Sequence, residues 1–260
     1  MLTLLSPAKT LDFNFSTSGL PTSTPQFEKE LEILLRRCKG LSVESLRELM
    51  KLSQPLAELN YERFRRMNLP FTTDNAKPCV LAFRGDVYRG LDATSLSKRD
   101  LKWAQGRLRI LSGLYGLLRP LDLIQPYRLE MGTRLPNPRG KNLYEFWGTR
   151  LVDALNAEHD RRPVKAVLNL ASNEYFKAVP AKHLKPPLVT ALFQEIRDGK
   201  PRTISFSAKR ARGLMARFVV ENRVQDPDGL KEFAQEGYTY RPELSNQERL
   251  LFVRERDWAA

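Results

Sequence analysis

Four short and largely apolar runs constrain the fold of this 260-residue chain more than any other feature of its sequence. They cover residues 2–5, 80–83, 108–111 and 164–170, and polar residues follow each of them. A strand buried on both faces of a sheet is apolar along its length, whereas a half-exposed strand alternates. The runs therefore predict buried strands within a sheet.

Helical patterns separate these strands, with caps and breakers at their ends. The predicted helices are residues 27–67 in three pieces broken at Gly40 and Pro55, then 97–105, 142–158 and 207–222. Their predicted N-caps are Ser42, Ser97, Asn142 and Ser207.

A hairpin is predicted from residues 188–196 and 202–206, with Asp198-Gly199 at its turn, and a last strand at residues 250–254. Strands that alternate with helices and end in a hairpin predict an α/β fold with a mixed β-sheet surrounded by helices. The sequence shows no repeat and no linker, so we expect a single domain of residues 1–260.

Basic residues outnumber acidic ones by 43 to 30, which gives the chain a net charge of +13. Such a charge favours polyanionic partners, because each neutralised phosphate releases condensed counterions. It also suits a protein that is merely kept in solution. Clustering of the positive charge decides between these two interpretations.

The chain carries no signal for membrane insertion or export. No segment approaches the ~20 apolar residues of a membrane span, and no basic flank precedes the apolar run at the N-terminus. Cys38 and Cys79 form no close pair, which suits a reducing compartment. We therefore expect a cytoplasmic protein without a membrane partner, and the oligomeric state stays open.

Histidine is as sparse as cysteine, since His159 and His183 are the only two in the sequence. Two distant histidines cannot build a His-rich metal site. The sequence also lacks G-x-x-x-x-G-K-[ST] and G-x-G-x-x-G, the phosphate-binding patterns of nucleotide hydrolases and dinucleotide enzymes. We expect neither a metal nor a cofactor.

The clearest cluster of positive charge lies on the helix predicted at residues 207–222. Its apolar residues form one stripe at about 100° per residue, and its basic residues flank the opposite face. These are Lys209, Arg210, Arg212, Arg217 and Arg223, against the single acid Glu221. A row of guanidinium groups for phosphates is favoured over a solvated face with intrahelical pairs, because only one acid is available.

A second cluster surrounds the turn between Gly113 and Gly116, with Arg109, Arg119 and Arg128 near it. Glycines let a backbone approach a phosphate closely. The turn resembles the hairpin of helix-hairpin-helix DNA-binding proteins, although its glycines are one residue further apart. A plain turn between a strand and a helix explains it equally well.

A third set of polar residues follows the predicted strands, where α/β folds place ligands. The set comprises Lys9, Arg84, Asp86, Asn169, Ser172, Asn173 and Glu174. A carboxylate beside Lys and Arg suits base or phosphate recognition, or attack at a glycosidic carbon. Lys9, Arg84, Asp86 and Glu174 are thus candidate catalytic residues. The alternative is that Asp86 and Asn173 merely cap helices.

Several long motifs identify a family that the chain resembles almost from end to end. They are LSPAKTL at residues 5–11, AFRGDVY at 82–88, LSGLYG at 111–116, LRPLDL at 118–123, QPYRLEMG at 125–132, NLASNEYFK at 169–177 and KRARGLMAR at 209–217. The sequence resembles the YaaA family of bacterial peroxide-stress proteins.

The resemblance implies a role in surviving hydrogen peroxide, with lower free intracellular iron and less DNA damage. It also implies a single α/β body that binds duplex and branched DNA through a basic cleft with a helix-hairpin-helix-like element. Two residues depart from the family pattern: Arg84 stands where Lys is frequent, and Asn173 where Asp is frequent. The second change removes a carboxylate and weakens any mechanism that needs an acid there.

Our main hypothesis is therefore a DNA-binding protein that protects against oxidative stress. Its phosphate contacts would be Lys209, Arg210, Arg212, Arg217 and the Gly113–Gly116 turn. The alternative is an enzyme that acts on a nucleobase or nucleotide in a polar pocket. Direct iron binding would need carboxylates alone in basic surroundings, so lower iron is better explained as an indirect effect.

Overall fold

A strand buried on both faces, β1 at Leu2–Leu5, lies at the centre of the fold in a computed structural model of the protein. The structure describes residues 1–255 apart from residues 16, 18 and 198. The further strands are β2 Thr10–Leu11, β3 Lys77–Pro78, β4 Phe83–Arg84, β5 Leu108–Ser112, β6 Gly116–Leu118, β7 Leu123–Ile124, β8 Val167–Asn169, β9 Leu188–Arg197, β10 Lys200–Arg202, β11 Thr239–Tyr240 and β12 Arg249–Arg254.

The main sheet has eight strands in the order β11-β12-β9-β8-β1-β5-β6, with β10 paired to the end of β9. The neighbours of β1, which are β5 and β8, run parallel to it. Only β6, β10 and β11 pair antiparallel within the described sheet. The predicted α/β class and mixed sheet are confirmed.

Helices surround this sheet and share its buried core. They are α1 Glu28–Lys39, α2 Val43–Met50, α3 Gln54–Arg66, α4 Cys79–Ala82, α5 Asp86–Leu91, α6 Lys98–Gln105, α7 Leu143–Trp147, α8 Arg150–Arg161, α9 Asn173–Phe176 and α10 Ser205–Glu221. Among the described residues, none of these helices has both the length and the apolar character needed to cross a membrane.

Three of the four predicted N-caps are confirmed. The side chains of Ser42, Ser97 and Asn142 each accept a hydrogen bond from the backbone N–H three residues later. Such caps satisfy backbone donors that have no partner within the helix. The fourth prediction is wrong, because α10 begins two residues before Ser207.

The predicted hairpin forms, but the position of its second strand is wrong: the strand is Lys200–Arg202, so only Arg202 of the predicted residues 202–206 lies in it. The chain turns into α10 instead. The turn residue Asp198 lies outside the described residues, and Gly199 has the positive φ of 69° that a tight turn requires.

Two further predictions fail for local reasons. Residues 80–82 are not a strand, because the chain forms the buried one-turn helix α4, and of the predicted run only Phe83 lies in a strand, β4. A short apolar run does not distinguish a strand from a buried helical turn. The helix predicted at 142–158 is split by Gly148, whose φ of 50° ends α7 before α8 begins.

The helix-hairpin-helix-like element is not confirmed. The turn from Gly113 to Gly116 joins the antiparallel strands β5 and β6. A Cβ on Gly113 would lie 2.4 Å from the Leu129 carbonyl oxygen, and one on Gly116 would lie 2.6 Å from the Trp147 ring. Both glycines are buried and allow close packing in the core instead of approach to a phosphate.

Two other glycines bring α5 and α10 into backbone contact. A Cβ on Gly90 would lie 2.2 Å from the Arg210 carbonyl oxygen, and one on Gly213 would lie 1.8 Å from the Val87 carbonyl oxygen. Both distances are far inside van der Waals contact, so only glycine permits this crossing. The crossing fixes where the basic side chains of α10 lie.

We expect Gly213→Ala to lower the free energy of unfolding by about 3 kcal/mol, because the added methyl group forces the helices apart. Denaturant unfolding measures the change. Gly40→Ala is the matched control, since Gly40 has a right-handed φ of −81° and the nearest atom to its added Cβ is at an ordinary 3.6 Å. The control should shift stability by less than about 1 kcal/mol. Equal stabilities for the two variants would refute the close crossing.

Candidate functional site

A cavity of about 390 Å³ opens beside the carboxyl ends of β1 and β8. The segment after β1, residues 6–10, and the residues Leu170 and Ser172 after β8 form part of its wall. The two segments are joined directly, because the backbone N–H of Ser172 donates to Ser6 Oγ at 2.9 Å. Ligands of α/β proteins occupy this edge of a sheet because the loops there converge.

The small β2–β4 ribbon brings a second segment to the cavity. Thr10 pairs with Arg84, so the start of α5 lies beside the loop after β1 and places Asp86 in the cavity wall. Arg84 is held in position by two acceptors: its Nη2 donates to Asp12 Oδ2 at 3.0 Å and its Nη1 to the Leu81 carbonyl at 2.6 Å. A guanidinium that is already oriented loses less freedom when it binds a ligand.

Helix α10 supplies the third wall. Its close crossing with α5 carries Lys209 and Arg212 into the lining. These two residues were predicted as DNA contacts on an exposed helix, whereas Lys9, Arg84, Asp86 and Glu174 were predicted as a separate pocket. The structure brings both sets together around one cavity.

The predicted pocket residues are held by specific partners. Lys9 Nζ lies 2.8 Å from Glu130 Oε2, and Glu174 Oε1 accepts a hydrogen bond from the Gly132 N–H at 3.0 Å. Below them, Tyr88 donates its hydroxyl to the Ser6 carbonyl at 3.0 Å. Burial raises the pKa of Tyr88, so it stays a neutral donor.

Arg212 differs from Lys9 and Arg84, two cavity cations that have carboxylate partners. Burial lowers the pKa of its guanidinium, yet an arginine remains protonated throughout the physiological range. No carboxylate pairs with it among the residues that the structure describes. A cation withdrawn from water without a counter-charge is costly, and an anion in the cavity would compensate it.

The other arginines of the predicted basic cluster, two on α10 and Arg223 just after it, pair with carboxylates outside the cavity lining. Arg210 pairs with Glu236 at 2.6 Å, and Arg223 pairs with Asp100. Arg217 lies 2.8 Å from Glu221 and also donates to the Leu91 and Asp92 carbonyls. Arg210 and Arg223 therefore take their acids from other elements, whereas Arg217 pairs within α10 and also donates to the end of α5.

The basic residues predicted around the Gly113–Gly116 turn lie away from this cavity. Arg109 is buried against Glu158, with Nη2 to Oε2 at 2.5 Å. Arg119 pairs with Asp122 at 3.0 Å, and Arg128 with Glu130 at 3.1 Å. Each of these arginines has a carboxylate partner inside the fold.

The capping alternative for Asp86 and Asn173 is not what the structure shows, because the cap positions belong to Gly85 and Ser172. Asp86 lines the cavity, whereas Asn173 lies outside its lining. Asn169 is also outside the lining and is buried, and its Oδ1 accepts from the Ala171 N–H at 2.9 Å. Asn173, which stands where Asp is frequent in the family, is therefore not part of the cavity lining.

The cavity combines four cations with two carboxylates, Asp86 and Glu174. The cations are Lys9, Arg84, Lys209 and Arg212. Within the described part of the chain, no three His, Cys, Asp or Glu residues are grouped to hold a metal ion. The arrangement suits an anion, and a phosphate best, because guanidinium and ammonium donors converge on it from different elements.

The chain is similar to proteins of several bacteria over nearly its whole length. A UPF0246 protein of Cellvibrio japonicus is 51% identical over 98% of this chain and 99% of its own length. One of Aromatoleum aromaticum is 51% identical over 99% of this chain and 100% of its own length.

A family model described as "Peroxide stress protein YaaA" matches residues 1–244. That range contains the whole cavity and the helices and strands that form it, from β1 to α10. The chain therefore belongs to the YaaA family of peroxide stress proteins.

Proposed function

We propose that this protein acts in the response to oxidative stress by binding DNA, with a backbone phosphate bound by Lys209 and Arg212 at the mouth of the cavity. Membership of the peroxide stress protein family supports the stress role. The DNA contact is our own proposal, and it is based on the charge and geometry of the cavity.

The observation that carries the proposal is the unpaired guanidinium of Arg212. Arg210 and Arg217 on α10, and Arg223 just after it, have carboxylate partners, which satisfy their charges within the fold. Arg212 is half-buried, lines a cavity and has no such partner among the described residues. Its neighbour one helical turn away, Lys209, is exposed and lines the same cavity.

The size of the cavity decides how DNA would lie. About 390 Å³ holds a phosphate or a single nucleotide and is too small for a duplex. The duplex would therefore lie across the mouth, and contacts to its backbone would make binding independent of sequence. The net charge of +13 adds a long-range attraction that salt weakens.

We expect Lys209→Ala/Arg212→Ala to weaken binding of a fluorescent 20-base-pair duplex at least about a hundredfold, because charge-assisted hydrogen bonds contribute about 1.5–3 kcal/mol each. Fluorescence anisotropy across a salt series measures it. The slope of log affinity against log salt should also fall by about 1, because the two residues bind the same phosphate.

Lys29→Ala/Arg36→Ala is the matched control, because it removes the same charge from exposed positions on α1. The control should lower affinity only slightly and leave the slope nearly unchanged. Equal losses in both double variants would mean that net charge alone drives binding. An unchanged slope in the cavity variant would also refute the proposed contact.

The same cavity supports a second candidate function, an enzyme acting on a nucleobase or nucleotide. The observation in its favour is that Asp86 and Glu174 line the cavity together with Lys9. Carboxylates beside cations are the groups that general acid–base or nucleophilic catalysis needs. Turnover of a nucleoside or nucleotide that disappears in Asp86→Asn, with the fold intact, would favour this candidate.

A direct reaction of peroxide with the thiols is disfavoured by their burial. Cys38 and Cys79 are 1% and 0% exposed. Burial raises the pKa of Cys38 to about 12 and that of Cys79 well above its ordinary value. The thiolate is the form that peroxide oxidises, and redox-sensing cysteines are exposed and of low pKa.

We therefore expect both cysteines to stay reduced when the folded protein meets hydrogen peroxide at neutral pH. Intact-mass spectrometry after timed exposure measures the added oxygen, and peptide mapping separates cysteine from methionine oxidation. The urea-unfolded chain is the control, and its exposed thiols should oxidise at the rate of a free cysteine. Rapid sulfenic acid formation at either cysteine of the folded protein would show that the thiols are accessible.

A further inference from the structure

A second basic cavity lies at the opposite edge of the sheet, where the amino ends of β1 and β5 meet. Its volume is about 550 Å³. Leu2 at the start of β1, Gly106 and Arg107 before β5, and Val164 before β8 form its floor. This edge is separated from the first cavity by the length of the strands, so the two cavities are distinct.

The charge of this second cavity is strongly one-sided. Six cations line it against the single carboxylate of Glu158, and they are Lys102, Arg107, Arg109, Arg119, Arg161 and Arg162. Glu158 is already bound to Arg109, with both side chains largely buried. Arg119 is paired with Asp122. Lys102 and Arg162 are exposed, and no carboxylate pairs with either of them among the described residues.

Arg107 is the buried centre of the cluster, with only 5% of its surface exposed. Its Nη2 donates to Gln225 Oε1 at 2.7 Å, but its Nε is buried and has no hydrogen-bond partner in the described part of the protein. A buried N–H without an acceptor costs about 1–3 kcal/mol. The protein itself therefore leaves the Arg107 guanidinium incompletely hydrogen-bonded.

The positive field reaches beyond the cavity wall. Burial, followed by Arg107 and Arg162, lowers the pKa of the Met1 α-amino group to about 6. Burial lowers the pKa of Arg107, and Arg162 and Arg109 lower it further. The cations therefore repel one another in the absence of a bound anion.

The ends of α6 and α8 also lie here and offer a simpler explanation for part of the charge. Cations are favourable at the carboxyl end of a helix, where the dipole amounts to about half a negative charge. Two such ends amount to about one negative charge. That leaves most of the positive charge uncompensated, and it does not explain a buried Arg107 whose Nε has no acceptor.

We propose that this cavity binds a phosphate group, with Arg107 at its base and Lys102 and Arg162 at its mouth. Guanidinium groups recognise phosphate through paired N–H donors, and an ammonium adds a mobile charge. The phosphate group belongs either to a small phosphorylated molecule or to a nucleic-acid backbone. The volume lies within the range of small-ligand sites, so we favour the small molecule.

Inorganic pyrophosphate is the probe, and isothermal titration calorimetry at low salt is the measurement. The full chain carrying Lys209→Ala/Arg212→Ala is used, so that binding at the first cavity does not contribute. We expect one site in this protein, and at least tenfold weaker binding after adding Lys102→Ala/Arg162→Ala. Both residues are exposed, so the added changes should leave the melting temperature nearly unchanged.

The control adds Arg99→Ala, which removes an exposed charge from the same helix, α6, outside the cavity lining. It should leave pyrophosphate affinity within about twofold of its starting value, because Arg99 lies outside the cavity lining and cannot donate to a ligand there. Absence of binding before the mouth residues are changed would overturn the proposal. Equal losses with Arg99→Ala, or no loss with Lys102→Ala/Arg162→Ala, would overturn it as well.

A duplex-binding arm distinguishes the two sources of phosphate. Lys102→Ala/Arg162→Ala in the otherwise natural chain should leave DNA affinity close to that of Arg99→Ala if a small molecule is the ligand. A selective loss of DNA affinity, with pyrophosphate binding also lost, would assign the site to the nucleic-acid backbone. Either result supports a phosphate site, because both require the loss of pyrophosphate binding.

Discussion

The backbone contact between α5 and α10 is the constraint on which the arrangement of the first cavity depends. Gly90 and Gly213 face the opposite helix, and neither position leaves room for a side chain. The contact places one face of α10 against α5, and the first turns of that helix reach the loops after β1 and β8. Without this approach, Lys209 and Arg212 would lie too far from Arg84 to share a cavity with it.

The basic residues of the protein divide into two groups by their partners. Most of the arginines predicted to bind DNA are paired with carboxylates of distant segments, as Arg109 is with Glu158 and Arg210 with Glu236. Such pairs position elements, and exposed ones contribute little net stability. Arg107 and Arg212 differ from these arginines, because each lines one of the two cavities without a carboxylate partner among the described residues, and an anion there can complete the electrostatics.

The parallel strands give the two cavities their opposite positions. Parallel strands place all their carboxyl ends at one edge, and the loops after β1 and β8 form the first cavity there. The amino ends meet at the other edge, where Arg107 precedes β5. Ligand sites of α/β proteins usually occupy the first kind of edge. The edge with the amino ends is a candidate site despite that preference, because six cations and a single carboxylate line its cavity.

The sequence by itself determined the α/β class, the three helix caps and the membership of a family, because these depend on local patterns and on motifs. It also marked the polar segment after β1 as part of a site. Only the tertiary structure decided which cations remain unpaired, since their acids come from segments far apart in the chain, such as Glu236 for Arg210. The tertiary structure also showed that the glycine turn predicted to approach a phosphate is a hairpin within the core, because Trp147 packs against Gly116.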